Sequence, residues 1–303
     1  MIRLEDTSGG AIVATINRER IRLGSSATGM VLTLLIIGNE ETQADATAAA
    51  ITAARSHPMR IVTIVPRPTD PATRLDAEIA VGGDDGPGEV AVLRLRGDLA
   101  EHANSVAVPL LLSDTPVFAY WPSLAPPVPA DDPIGRHAQR RITNATGALD
   151  PMRELLARQA GYRNGDTDLA WTRLTSWRSV LAAALDQPVG ELTSAQVTGE
   201  HGNPSLPLLT SWLRQRLGVP VTLAWNAGPG VTSVILQAGD IEIGVFRGED
   251  SVATMSRTSV ADTKVPLPRR DLANLLSEEL RHMNPDEAYE AAVSNIDESE
   301  CKP

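Results

Sequence analysis

The sequence predicts a mixed α/β protein with two domains, the first built on a parallel βαβ unit and the second on an antiparallel β-meander. Residues 30–65 contain an apolar strand-like run, an alanine-rich helical run and a second strand-like run. Residues 219–256 contain four short strand-like runs separated by glycine-containing turns. The length of 303 residues suffices for two cores. We predict an N-terminal α/β domain over 1–160 and a C-terminal α+β domain with an antiparallel sheet over 161–303.

The N-terminal domain is expected to begin with a short amphipathic helix over residues 10–22. The βαβ unit follows as a strand over Met30–Ile37, a helix over Gln43–Ser56 and a strand over Arg60–Val65. A strand, a crossover helix and a second parallel strand almost always form a right-handed unit. This order therefore predicts a Rossmann-like N-terminal domain.

The glycine-rich stretch between Val81 and Glu89 raises the question of a phosphate-binding loop. Apolar and polar residues alternate on both of its sides, so both flanks are predicted to be strands. A phosphate-binding glycine loop opens a helix, because the helix N-terminus supplies free N–H groups. This stretch opens a strand instead, and it carries Asp84 and Asp85 without a lysine. We therefore interpret it as a hairpin turn.

The remaining elements are predicted from the same kinds of pattern, with an extended loop in the proline-rich residues 124–133. In the first domain we expect helices over Asp98–Ser105, Ile134–Ile142 and Pro151–Gln159, and strands over Val106–Leu112 and Pro116–Trp121. In the second domain we expect helices over Trp171–Leu185, Ser205–Leu217, Arg269–His282 and Asp286–Val293, and strands over Glu191–Thr198, Val219–Trp225, Val231–Gln237, Ile241–Phe246 and Val252–Ser256.

The charge, the cysteine content and the absence of common catalytic motifs argue against several classes of function. The net charge of −11 argues against nucleic-acid binding and against adhesion to anionic membranes, because both need clustered lysine and arginine. Cys301 is the only cysteine, which fits a reducing cytoplasm. The sequence contains no Gly-x-Ser-x-Gly motif, no His-Glu-x-x-His motif and no histidine pair at helical spacing. We therefore expect a cytoplasmic protein without catalytic residues, metal or cofactor.

The first candidate surface for a partner lies in the helix predicted over Trp171–Leu185. An apolar stripe with helical spacing consists of Trp171, Leu174, Trp177, Leu181 and Ala184. Such a stripe is typical of a helix that packs on a core. Tryptophan and arginine also dominate interface hot spots, so a partner contact is the alternative. The candidate contacts are Trp171, Arg173, Trp177 and Arg178.

The second candidate surface is the basic segment over residues 136–141. On the predicted helix, Arg136 and Arg140 would share one face. The segment is interpreted either as solvated surface that balances local charge or as a docking patch for an anion or a carboxylate. The candidate contacts in this segment are Arg136, Arg140 and Arg141. Trp121, which lies outside the segment, is a further candidate for partner contact.

Two aspartates precede the first candidate helix. Asp166 and Asp168 suggest a calcium loop, but the ligand order is wrong and no glutamate follows at the required spacing. We predict instead that these acids cap the helix that begins near Leu169.

Five segments resemble the OpcA family, the glucose-6-phosphate dehydrogenase assembly proteins. The most specific is AGYRNGDTDLAWTRLTSWRSVLAAALD at Ala160–Asp186. The others are VLTLLII (Val31–Ile37), RLDAEIAVGGDDGPGEVAVLRLRG (Arg74–Gly97), SVAVPLLLSDTPVFAYWP (Ser105–Pro122) and DPIGRHAQRRITNAT (Asp132–Thr146). Together they cover most of residues 30–190, whereas the last hundred residues match in layout more than in motif.

The resemblance implies a non-enzymatic protein that binds glucose-6-phosphate dehydrogenase, favours its active oligomer and raises its activity. That enzyme supplies NADPH at the entry to the oxidative pentose phosphate pathway. Some members of the family are switched by thioredoxin through cysteines. Because this chain has Cys301 alone, it cannot form the internal disulfide that such a switch uses.

Two other functions stay open at this point. The N-terminal domain could belong to a sugar-phosphate-binding protein or enzyme, in which case Arg140 and Arg141 would hold the phosphate. A purely structural scaffold would bind the dehydrogenase without changing its rate.

Overall fold

The computed structural model describes residues 1–24, 29–82, 88–187, 189–248 and 251–302. The strands are β1 (Ile2–Leu4), β2 (Leu32–Ile37), β3 (Met59–Arg67), β4 (Arg74–Val81), β5 (Glu89–Arg96), β6 (Val117–Tyr120), β7 (Arg140–Thr143), β8 (Asp166–Asp168), β9 (Ser194–Glu200), β10 (Val221–Asn226), β11 (Val231–Ala238), β12 (Ile241–Arg247), β13 (Val252–Arg257) and β14 (Val260–Pro266). The helices are α1 (Gly9–Arg22), α2 (Gln43–Ala53), α3 (Ala103–Ala107), α4 (Pro151–Gly161), α5 (Leu169–Thr172), α6 (Thr175–Ala184), α7 (Ser205–Leu217), α8 (Leu272–Glu279) and α9 (Glu287–Ser294).

The predicted βαβ unit is confirmed at the centre of an eight-stranded sheet with the order β1-β4-β5-β3-β2-β6-β7-β8. β2 and β3 are parallel, with Leu32 opposite Met59, and α2 lies between them in the chain. Strand β6 is parallel to β2 on its other side. The chain order therefore reverses at β2, as in a doubly wound sheet.

The flanks of the glycine-rich stretch form the predicted hairpin. β4 and β5 are antiparallel, with Val81 opposite Glu89. The alternate residues Leu75, Ile79 and Leu93 are buried in the core that α1 covers. The turn itself, residues 83–87, lies outside the described residues.

The prediction of a strand over Val106–Leu112 was wrong. This segment begins in α3 and continues as a 3-10 turn over Val108–Leu110. The buried residues Val106, Ala107 and Leu110 follow helical rather than alternating spacing, and that spacing decides the structure.

A second, six-stranded sheet has the order β10-β9-β11-β12-β13-β14. The predicted antiparallel meander is confirmed for β11, β12 and β13, and the chain adds β14, which sequence analysis missed. β14 is mostly exposed, so it lacks the alternation that marks a strand. The placement of β10 in the meander was wrong: it is parallel to β9, and α7 forms the crossover between them.

The described residues divide into two compact units, each built from separate stretches of the chain. The first contains residues 1–147, 163–167 and 271–285. The second contains residues 148–162, 168–270 and 286–303. The boundary between residues 160 and 161 stays a prediction from the sequence.

The helices of the described residues do not meet the requirements for crossing a membrane. None of them combines the length and the apolar character that a membrane crossing demands.

Candidate functional site

The basic segment is not helical, so the predicted helix over Ile134–Ile142 was wrong. A short 3-10 turn over Gly135–His137 leads into strand β7. The backbone of β7 bonds on both sides, because Trp121 N–H donates to Ile142 O (3.0 Å) and Arg141 N–H donates to Gly165 O (3.0 Å). Two neighbouring strands thus satisfy backbone groups that a helix would have paired internally.

The strand also separates the arginines that the helix would have aligned. Arg136 is exposed in the turn, whereas Arg140 and Arg141 point to opposite faces of β7. Arg136 is therefore the one candidate of this segment whose side chain is exposed.

Arg140 is buried in β7, and its exposed fraction is 1%. Its Nη2 donates to Glu279 Oε2 on α8 at 3.0 Å. Nε and Nη1 have no hydrogen-bond partner among the described residues. The ion pair thus joins two elements of the first unit that lie far apart in the sequence.

Arg141 is held by three acceptors on the other side of β7. Nε donates to Asp166 Oδ1, Nη2 donates to Asn164 O, and Nη1 donates to Ala138 O at 2.8 Å. Asp166 Oδ2 also accepts from the backbone N–H of Arg163 at 2.8 Å. Arg141 therefore fixes the loop before β8 against the sheet.

The two aspartates of this loop have different roles. Asp168 confirms the predicted helix cap, because its Oδ1 accepts from Ala170 N–H at the start of α5 (2.8 Å). Asp166 instead forms the ion pair with Arg141. The prediction that both acids cap the helix was therefore correct for Asp168 only.

The helix predicted over Trp171–Leu185 is two helices, α5 and α6, with a break at Arg173-Leu174. The predicted stripe is buried on both. Trp171 and Trp177 are each 1% exposed, so both rings lie in the core, which is the first of the two interpretations left open above. Partner contact at these rings stays a prediction, and in this conformation they present no surface for it.

Trp171 is enclosed by polar and aromatic groups of the second unit. Its Nε1 donates to Asp286 Oδ2 at 2.7 Å, and Asp286 Oδ1 caps α9. The guanidinium carbon of Arg178 lies 3.8 Å from the Trp171 ring centroid, within the range of a cation–π interaction. Tyr289 packs at a centroid distance of 6.0 Å. The half-buried Arg178 therefore covers a core ring rather than standing free.

Arg247 on β12 has a ring contact and a shifted pKa, and sequence analysis did not single it out. Its guanidinium carbon lies 5.0 Å from the Trp177 ring centroid. Burial, with a smaller contribution from Arg269, lowers the pKa of Arg247 to about 10. The alternation of β12 places Arg247 on the same face as Ile243 and Val245, which was the available signal.

The other two candidates differ in exposure. Trp121 follows β6 and is buried in the core of the first unit. Arg173 is half-buried at the break between α5 and α6.

The carboxyl ends of β2 and β6 form the place where a doubly wound sheet binds ligands, because the strand order reverses there. The loop after β2 carries Glu40 and Glu41, and Asp45 lies in the first turn of α2. Asn39 Oδ1 already accepts from the backbone N–H groups of Glu41 (3.1 Å) and Thr42 (2.9 Å). The sequence around the helix N-terminus that would hold a phosphate therefore carries carboxylates, and Asn39 orders the turn that precedes the helix.

Gly38, the first residue after β2, has close neighbours. A Cβ on Gly38 would lie 3.0 Å from Thr42 Oγ1 and 3.3 Å from Pro122 Cγ. A carboxylate here would repel the pyrophosphate of a dinucleotide, and the Glu40 carboxylate is itself paired with Arg67 and Arg94.

Comparison with protein families assigns both halves of the chain. Residues 50–160 match the model of the glucose-6-phosphate dehydrogenase subunit N-terminal domain, and residues 164–293 match that of the subunit's C-terminal domain, both under the OpcA name. The chain belongs to the OpcA family. The resemblance found in the sequence is thereby confirmed.

Two curated OpcA proteins are similar to this chain. A "Putative OxPP cycle protein OpcA" of Synechocystis is 28% identical over 198 residues, which are 59% of this chain and 41% of the relative. A protein of the same name from Synechococcus elongatus is 28% identical over 206 residues, which are 63% and 43% of the two chains. The matched part of this chain spans less than half of the length of these curated relatives.

Two solved structures that match this chain do so at low identity. An NAD binding oxidoreductase from Klebsiella pneumoniae has a TM-score of 0.49 and 10% identity, covering 88% of this chain and 94% of that one. An oxidoreductase from Sinorhizobium meliloti has a TM-score of 0.40 and 9% identity, covering 88% and 86%.

Proposed function

We propose that this OpcA protein is a non-enzymatic assembly factor that binds glucose-6-phosphate dehydrogenase, favours its active oligomer and raises its activity. Its role would be to support NADPH production in the oxidative pentose phosphate pathway. The observation that carries the proposal is the match of residues 50–160 and 164–293 to the two domains of a glucose-6-phosphate dehydrogenase subunit.

The loop after β2 supports the non-enzymatic part of the proposal. A dehydrogenase of this architecture would place its cofactor at the loop after β2, where the chain has Glu40, Glu41 and, in the first turn of α2, Asp45. Glu40 is further held by Arg67 Nη2 at 2.5 Å and Arg94 Nε at 3.3 Å. These contacts hold the Glu40 carboxylate in the loop after β2.

The arginines that a sugar phosphate would use are already engaged. Arg140 is paired with Glu279 and Arg141 with Asp166, and both pairs are buried. The basic segment therefore supports a structural role for these two residues, and Arg136 is the residue we propose for partner contact.

The mechanism we propose is linkage. A protein that binds one conformation or oligomer of the dehydrogenase more tightly than the others shifts the population toward that state. A tenfold gain in apparent substrate affinity needs only about 1.4 kcal/mol of coupling. The chain therefore needs no reacting group of its own.

Two binding measurements test the proposal. The purified chain should co-elute with the dehydrogenase on a sizing column, and Arg136→Ala should weaken the complex while the fold is kept. Glucose 6-phosphate should then tighten the complex by the factor with which the chain raises the enzyme's substrate affinity, because coupling is reciprocal. Separate elution at all concentrations would reject the partner, and a complex unaffected by substrate would reject the allosteric mechanism.

A further inference from the structure

The six-stranded sheet of the second unit has one covered and one open face. Arg247 on β12 reaches Trp177 on α6, and Gly199 on β9 lies close to Leu206 on α7, so both helices pack on the same face. The buried alternate residues Val234 and Val245 belong to that face as well. The other set of side chains faces solvent, as expected for a one-sided antiparallel sheet.

The centre of the open face is uncharged. Six neighbouring residues on β11, β12 and β13 form what we call the neutral block: Ser233, Ile235, Gly244, Phe246, Thr254 and Ser256. Ser233 lies opposite Phe246, and Phe246 lies opposite Thr254, so the block is continuous across three strands. An uncharged block of this kind contrasts with a chain whose net charge is −11.

Phe246 is the exception among the aromatic residues. The chain has ten Trp, Tyr and Phe residues, all of them described, and Phe246 alone is exposed, with 38% of its surface accessible. Its ring lies over Gly244, where an added Cβ would be 2.3 Å from the ring carbon Cε2. The ring thus lies flat on the sheet. It gives the open face an apolar centre and does not project from the surface. Exposed aromatic groups at the centre of a flat patch are typical of interfaces.

We propose that the open face binds the same face of a second copy of this chain, giving a two-fold symmetric dimer. Two flat sheets pack face to face at about 10 Å, and small hydroxyl side chains around a flat ring suit that spacing. In a two-fold interface the same patch of both copies is in contact. Charges of one sign on that patch would therefore repel each other across the interface. The neutral block carries no charge of its own, and Lys264 on β14 donates Nζ to Thr254 Oγ1 at its border (2.6 Å). Two acidic surfaces, in contrast, would repel each other.

The size of the face is of the right order. Six strands about 4.8 Å apart and about six residues long give a planar footprint of about 500 Å² per copy, before the relief of the side chains is counted. A stable interface buries about 800 Å² of accessible surface per partner. The whole open face, rather than the neutral block alone, is therefore needed for a stable dimer.

The test is the mass of the full chain in solution, measured by sedimentation over a wide concentration range. We expect a dimer for the natural chain, and a rise of at least tenfold in the dimer dissociation constant for Phe246→Asp, because the variant places two carboxylates in the interface. Ser233→Arg, a second change on the open face, should have the same effect without touching the core. Ile21→Asp is the matched control, since Ile21 is 80% exposed on α1, and it should leave the mass unchanged.

Each of the other outcomes overturns the proposal. A chain that is monomeric throughout the range has no self-association at this face. A dimer that survives both open-face variants, with circular dichroism unchanged, uses another surface. A monomeric chain that loses the dehydrogenase through Phe246→Asp would assign the open face to that enzyme instead, so this result is separable from failure of the proposed function.

Discussion

The candidate arginines of the two units are held in different ways. The second unit also has a buried arginine–carboxylate pair, Arg158 with Glu154, but that pair involves no candidate. In the first unit, Arg140 and Arg141 are neutralised by the carboxylates of Glu279 and Asp166. In the second, the guanidinium of Arg178 lies over the Trp171 ring, 3.8 Å from its centroid. A carboxylate compensates the full charge, whereas an aromatic face offers only its quadrupole. An arginine-rich stretch in a sequence can therefore be part of the protein interior. The loss of unfolding free energy on replacing such an arginine depends on whether its partner is a carboxylate or an aromatic ring.

The largest effect is expected from Arg141→Ala. The change removes one ion pair and two bonds to carbonyl groups, and it leaves the buried Asp166 carboxylate without its counter-charge. We expect a loss of about 3–5 kcal/mol in the free energy of unfolding, measured with urea. The exposed Arg136→Ala is the control, expected to change stability by about 0.5 kcal/mol or less. Equal effects of the two variants would remove Arg141 from the scaffold.

The next effect is expected from Glu279→Gln, which leaves the Arg140 charge buried without a counter-ion. We expect a loss of about 2–3 kcal/mol in unfolding free energy, because the amide keeps a hydrogen bond but not the charge. Replacing both members, as in Arg140→Met with Glu279→Met, should recover most of that loss, since no buried charge is left. Losses that simply add in the double variant would show that the two side chains do not interact.

A smaller effect is expected at the tryptophan of the second unit. Arg178→Ala should cost about 1 kcal/mol in unfolding free energy, the size of a partly buried cation–π contact. Arg178 also donates to Thr175 Oγ1 at 3.0 Å, so Thr175→Ala is the control that removes this bond and keeps the ring contact. If Thr175→Ala costs as much as Arg178→Ala, the ring contact contributes nothing measurable.

The smallest effect on stability is expected at the buried thiol of Cys301. Burial, together with the nearby Glu300, Asp297 and Glu298, raises the pKa of the Cys301 thiol to about 11. The thiolate is therefore scarce at neutral pH and increases only as the pH rises toward that value. We expect Cys301 in the native chain to react with a disulfide reagent far more slowly than in urea, with little change in stability when it is replaced by serine. Equal rates in the two conditions would mean that the thiol is accessible.

Much of the fold could be predicted because its signals are local. The apolar run of β2, the alanine-rich α2 and the alternation of β4 and β5 are each dictated by neighbouring residues, and the structure confirms them. β10 was misplaced because pairing with β9 depends on the crossover α7, and a short apolar run does not reveal which strand it will join.

The candidate residues could be found from the sequence, but their surroundings could not. The acceptor for Arg140, Glu279 Oε2, comes from a helix 139 residues away, and no local sequence pattern indicates it. Arg247 was missed for the same reason, since its contact with Trp177 joins a strand and a helix distant in the chain. The acidic loop after β2 could have been identified from the sequence. Glu40 and Glu41 closely follow a predicted parallel strand, at the place where the strand order reverses.

The most direct measurement is the initial rate of the purified dehydrogenase at sub-saturating glucose 6-phosphate, with and without a molar excess of this chain. The account predicts a saturable rise in rate that depends on the concentration of the chain, while the chain alone with substrate and cofactor produces no NADPH. An unchanged rate, or turnover by the chain by itself, would contradict it.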